Sequence, residues 1–141
     1  MIFLGVDYGF SRIGVAKSDE GGVMAFPYDT ISSKKNLQED AISIVEIAKK
    51  IGSKKIIIGM PINMNGTQSS MGLKIKQLSS KISQIYMCEI KFWDERLTTV
   101  QANRIIQDNR TKKNGTSSID SISAALILGS YLEAKKGRKS N

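Results

Sequence analysis

Hydrophobic positions fall in two rhythms along this chain. Short unbroken apolar runs at residues 2–7 and 55–59 have the length and composition of buried strands, the second buried on both faces. Longer stretches repeat their apolar residues every three or four positions, the period of a helix. Leu37, Ala41, Ile44, Val45, Ala48 and Ile51 form one such stripe; Met71, Ile75, Leu78, Ile82 and Ile85 form another. Asn36 is placed to cap the first of these helices and Gly52 to end it. Upstream, Gly9 and Ser11 mark a turn, residues 13–18 a second strand, Gly21-Gly22 a tight turn, and residues 23–28 a third strand in which Pro27 suits an edge or a strand end. Residues 88–93 read as a further strand, with Phe92 and Trp93 on opposite faces and both mostly core.

Thr98 and Gln101 have the spacing of a capping box, so a short helix is expected there with Ala102, Ile105 and Ile106 on one side. Residues 109–118 are polar, basic and glycine-containing, the composition of a mobile loop. Ser118 can cap a last helix from residue 119 to about 134. That helix is apolar almost all round, which places it deep against the sheet. The order strand-strand-strand-helix-strand-helix-strand-helix-helix describes an α/β fold: an antiparallel hairpin, then parallel strands joined by helical crossovers. One domain is expected over residues 1–136, followed by a basic, frayed tail at 137–141.

Composition narrows the chemistry. The chain of 141 residues has no histidine and one cysteine, Cys88. Serine-histidine and cysteine-histidine catalysis are thereby excluded, as is a histidine or multi-thiolate zinc site. Hard oxygen ligands remain, which suit Mg²⁺ or Mn²⁺. Lysine and arginine number 21 against 13 acids, a net charge of +8 that favours a polyanionic partner such as nucleic acid, although many small basic proteins bind nothing specific. No apolar run is long enough to cross a bilayer. The lone cysteine and the absence of a signal-peptide pattern favour the cytosol and leave no membrane association to expect.

Against this background, acids at three distant places stand out. Asp7 ends the first apolar run, Asp94-Glu95 ends another, and Asp120 opens the last helix. Ligands in sheets of this kind lie beyond the carboxyl ends of the strands, where Asp7 and Glu95 fall. Each acid also has an ordinary explanation. Asp7 can start a turn satisfied by nearby N–H groups. Asp94 and Glu95 can pair with Arg96. Asp120 suits the helix dipole, worth roughly 0.3–1 kcal/mol. Brought together, however, the three would need a cation to offset their charge. Glycines at 9 and 14 would let the backbone approach a phosphate or a metal-bound oxygen. The loop of residues 59–67 lacks the Gly-Lys-Ser/Thr ending of a P-loop; its Asn63, Asn65 and Thr67 either meet a phosphate or serve the turn itself. Arg12, Arg96, Lys112 and Lys113 are candidates for contact with a nucleic-acid backbone, or surface charges in solvent.

Four segments in order resemble the YqgF family, also called RuvX, which is Holliday-junction-resolvase-like. They are Asp7-Tyr8-Gly9 with Arg12-Ile13-Gly14-Val15-Ala16 and Ser18-Asp19; Gly59-Met60-Pro61-Ile62-Asn63-Met64-Asn65-Gly66-Thr67; Asp94-Glu95-Arg96-Leu97-Thr98-Thr99; and Lys112-Lys113 with Ile119-Asp120-Ser121-Ile122-Ser123-Ala124-Ala125-Leu126-Ile127-Leu128 and Ser130-Tyr131-Leu132. The resemblance implies an RNase H-like fold with a five-stranded mixed sheet flanked by helices. It also implies a nuclease site of Asp7, Glu95 and Asp120 holding Mg²⁺ or Mn²⁺, of which two ions about 4 Å apart would share Asp7 across a scissile phosphate. The role it suggests is processing of the 5′ end of precursor 16S ribosomal RNA, with ribosome association; resolution of four-way DNA and a non-catalytic nucleic-acid-binding module are the alternatives. Two features depart from the family pattern: Ser11 stands where relatives often carry lysine, and Gln68-Ser69-Ser70-Met71-Gly72 lacks charge. A third reading, an actin- or sugar-kinase-type nucleotide site, shares the Asp-x-Gly hairpin but belongs to proteins several times longer.

Overall fold

The computed structural model describes residues 1–98 and 118–139. Its strands are β1 (Phe3–Tyr8), β2 (Arg12–Ser18), β3 (Ala25–Ser32), β4 (Lys55–Met60) and β5 (Glu89–Asp94); its helices are α1 (Leu37–Ile51), α2 (Ser70–Ile85) and α3 (Ile119–Lys139). They build one five-stranded sheet in the order β3-β2-β1-β4-β5. The first three strands pair antiparallel, and β4 and β5 add in parallel to β1. This is the mixed sheet expected, with Pro27 on an edge strand as its missing N–H requires.

Alternation along the strands separates two cores. Leu4, Val6 and Tyr8 of β1, Ile13 and Val15 of β2, and Ile56, Ile58 and Met60 of β4 face α1 and α2. Phe3, Ala16 and Ile57 face the other way, onto Ala124, Ala125, Ile127, Leu128 and Leu132 of α3. β4 is buried on both faces, as its unbroken apolar run demanded. The helices begin and end where short-range chemistry dictates. The Asn36 side chain accepts from the Glu39 amide, and Gly52 closes α1 in the left-handed conformation. Ser118 Oγ accepts from the Ser121 amide at 3.2 Å at the start of α3.

Several expectations are corrected. Phe92 is 41% exposed rather than core, because β5 is an edge strand. Trp93 does pack inward, edge-on to Tyr131, with its indole N–H donating to Ser130. β3 starts and ends later than residues 23–28; Val23 and Met24 instead donate their amides to the Asp19 carboxylate in the preceding turn. α3 runs to Lys139, so the helix continues past Ala134 into the segment read as a tail. The helix expected after Thr98 and the loop of 109–118, up to its last residue, lie outside the described residues.

A buried carboxylate ties the two halves of the fold together. Asp40, fully buried on α1, accepts hydrogen bonds from the Tyr8 and Ser33 hydroxyls and from the Lys34 amide, each at 2.6–2.7 Å. Burial, then the hydrogen bond to Asp40, push the Tyr8 hydroxyl up to about 12. Asp40→Ala strands the buried Tyr8 hydroxyl and two partly exposed donors and is expected to cost about 2 kcal/mol, read from the midpoint of urea unfolding; Tyr8→Phe, which removes one donor, is expected to cost about 1 kcal/mol.

Candidate nuclease site

Asp7 lies near the carboxyl end of β1 and, by alternation, on the α3 side of the sheet, opposite Val6 and Tyr8. In the β1–β2 ladder its partner is Gly14. That glycine is the reason Asp120 comes near. A Cβ built on Gly14 would lie 1.9 Å from the Asp120 carbonyl oxygen, so the first turn of α3 rests directly on the backbone of β2 beside Asp7. Gly14 therefore admits a helix, and its expected role of letting backbone approach a phosphate is corrected. Gly9 is likewise engaged within the chain, its N–H donating to the Arg12 carbonyl at 3.0 Å.

Glu95 reaches the same place from β5 across the intervening β4. It opens a short helical turn, Glu95–Leu97, immediately beyond the strand. A Cβ on Gly59 of β4 would sit 2.5 Å from Ile127 Cδ1 and 3.0 Å from Glu95 Oε1, so the missing side chain leaves space for both. There the Glu95 carboxyl is half-buried and close enough to Asp7 for the charge of each to bear on the other. Asp94, the neighbouring acid, turns away. It caps the turn through the Arg96 amide and holds the Arg96 guanidinium through both of its oxygens, at 2.8–3.1 Å.

Electrostatics follow from this crowding. Burial raises the Glu95 carboxyl to about 6, with further contributions from the neighbouring Asp7 and from the charge of Asp94. Burial and then the charge of Asp120 raise Asp7, while the neighbouring Glu95 opposes them. Both acids thus keep their protons to a higher pH than isolated carboxyl groups, as crowded, desolvated carboxylates do. Asp120 is answered separately: Arg12 Nε lies 2.8 Å from its Oδ2. With Asp120 turned to Arg12, no three acids or cysteines among the described residues are arranged to hold a metal ion.

Of the other candidates, Asn63, Asn65 and Thr67 bond one another, Asn63 donating to Thr67 Oγ1 at 3.0 Å and Thr67 to Asn65 Oδ1 at 2.6 Å. Asn63 serves the turn in this arrangement and is exposed at its surface. Arg12 and Arg96 each hold an acid, as given above. Lys112 and Lys113 lie outside the described residues. What sequence reasoning missed is the part played by Gly59 and Gly14. A glycine in a strand hints at close approach, but only the packing says by what.

The comparisons with known proteins bear on the fold and the family. The fold is that of the RuvC-type, RNase H-like nucleases: a Thermus thermophilus RuvC solved in complex with Holliday junction substrate superposes with a TM-score of 0.67 at 10% identity, over 97% of this chain and 96% of that one. The fowlpox virus Holliday junction resolvase superposes with a TM-score of 0.58 at 15% identity, over 95% and 99%. The chain belongs to the RuvX family, whose model, described as Holliday junction resolvase, matches residues 1–134. A relative from Ruminiclostridium cellulolyticum, named "Putative pre-16S rRNA nuclease", is 42% identical over 99% of both chains. One of the same name from Protochlamydia amoebophila is 35% identical, over 94% of this chain and 93% of its own.

Proposed function

We propose that this chain is a divalent-metal-dependent endonuclease that hydrolyses a phosphodiester at the 5′ end of precursor 16S ribosomal RNA. One domain, residues 1–136, acts in the cytoplasm on ribosomal precursor particles. The observation that carries the reading is the gathering of acids at the carboxyl end of the sheet, Asp7 on β1, Glu95 over Gly59 and Asp120 over Gly14, in a chain with no histidine. Near-full-length relatives that carry the pre-16S name support the substrate. The family's description as Holliday junction resolvase favours four-way DNA as the second reading. No described helix is long and apolar enough to cross a membrane.

The donor set fits a hard cation. Two carboxyl groups that repel each other above their raised pKa values need a positive charge between them, and their oxygens suit Mg²⁺ or Mn²⁺. Asp7 and Glu95 would hold it, joined by Asp120 once Arg12 gives it up. When bound, the metal acidifies water for attack at neutral pH and offsets charge on the leaving oxygen. The chain's own residues do the rest. Asp7 and Glu95 act in their ionised forms, which Glu95 reaches above about pH 6. Arg12, whose side chain is 68% exposed, can exchange Asp120 for a phosphate oxygen. Arg96, Asn63, Lys112 and Lys113 hold the flanking strand, so binding weakens with salt.

The same pair predicts a pH signature. Glu95 titrates near 4.5 when unfolded and about 6 when folded, so between these values the folded state holds more protons. Metal-free stability is therefore expected to fall as pH rises from about 4.5 to 6, with Asp7 adding at the acid end. Melting temperature recorded across that window in chelator should show the decline; Glu95→Gln should flatten it, and Mg²⁺ should raise the neutral end. Substrate is settled by cleavage of labelled precursor ribosomal RNA against four-way DNA with Mg²⁺ or Mn²⁺. Cutting of the junction alone overturns the RNA reading, and cutting of neither overturns the nuclease.

A further inference from the structure

The turn between β1 and β2 carries an aromatic side chain that the proposed site does not use. Phe10 is 66% exposed, three residues beyond Asp7. It forms one wall of a cleft of about 190 Å³ on the α1–α2 side of the sheet, with Tyr8, Leu37 and Met71 inside and Lys35 and Lys74 at the rim. Lys74 Nζ stands 5.2 Å from the centroid of the Phe10 ring. No acidic side chain lines the cleft. It is smaller than the roughly 300–1,000 Å³ of pockets that enclose drug-sized ligands, so it suits one planar ring system with the rest of the ligand outside.

We propose that this cleft is a subsite for one unpaired nucleotide of the RNA strand, its base stacked on Phe10 and its phosphates held by Lys35 and Lys74. An exposed ring beside two cations matches the two features that single strands present, a base face and a charged backbone. A base inside a duplex has both faces covered by its neighbours, so only an unpaired base can take this place. Phe10 follows Asp7 by three residues at the same end of the sheet, its cleft on the α1–α2 face and Asp7 on the α3 face. A strand seated in the cleft would therefore pass round the end of β1 to bring a phosphate to the acids. The subsite thus makes the substrate locally single-stranded beside the cut, and in this it rests on the nuclease reading.

The test is binding of the full chain, in chelator, to a single-stranded RNA carrying 2-aminopurine, whose fluorescence falls on stacking. Phe10→Ala should weaken binding on the order of tenfold and abolish the quenching, whereas Phe10→Trp should keep both. Lys35→Gln with Lys74→Gln should weaken binding and flatten its salt dependence. The same sequence as a duplex should bind independently of Phe10. Undiminished affinity and quenching in Phe10→Ala, or equal losses on single strand and duplex, would overturn the subsite; indifference of RNA binding to both Phe10 and the lysine pair would point to a protein occupant instead. Metal-dependent cleavage by the wild-type chain is scored separately. Cutting without Phe10-dependent binding removes the subsite alone, and Phe10-dependent binding without cutting removes the nuclease alone.

Discussion

Asp7→Asn is expected to abolish cleavage without lowering the stability of the protein. The substitution keeps the shape of the side chain and removes the charge from the residue at the centre of the proposed site, between Glu95 and Asp120. Support for a cation that contributes several kcal/mol to the transition state is lost with it, so the rate with Mn²⁺ should fall at least on the order of 10³-fold. Stability should move the other way. Asp7 is a desolvated acid beside two others, and an amide in its place relieves repulsion at neutral pH. A paired measurement of cleavage of labelled precursor RNA and of melting temperature separates catalytic loss from unfolding. Undiminished cutting by the variant would reject the site.

The largest stability effect is expected at Gly14. One added methyl group would lie 1.9 Å from the Asp120 carbonyl oxygen and 2.4 Å from its carbonyl carbon. Both are backbone atoms of a packed helix, so no side chain can turn aside, and α3 itself must move. Gly14→Ala should cost about 3 kcal/mol or more, lowering the melting temperature by roughly 6–12 °C at 2–4 °C per kcal/mol. It should also part Asp120 from Asp7 and so reduce cleavage even where the variant is folded. Val15→Ala, one residue along β2 and facing the other core, is the control: it should destabilise while sparing the rate of the folded fraction.

The pieces of this fold were legible because the signals that define them are local. Asn36 and Gly52 bracket α1 as their capping chemistry requires, and the unbroken Ile56-Ile57-Ile58 run is a central strand. Phe92 was misread for the converse reason. Its alternation with Trp93 is correct, but burial depends on what covers each face, and β5 lies at an edge. The candidate acids could be picked out by their places at strand ends and a helix start. Whether Asp94 or Glu95 turned inward came from the family resemblance rather than from spacing. Arg12 was read as a phosphate contact, and its pairing with Asp120, 108 residues away, was invisible in either neighbourhood.

By itself the amino-acid order determined the elements, their sequence along the chain and the oxygen-only chemistry available to a protein without histidine. The tertiary structure alone decided that Gly59 clears a path for Glu95 to Asp7, that Gly14 seats Asp120 beside them, and that Phe10 is left facing solvent next to two lysines. The division has a physical cause. Periodicity and capping act within a few residues, whereas these contacts depend on strand order and on a helix lying directly on glycine backbone, which no stretch of the chain encodes alone.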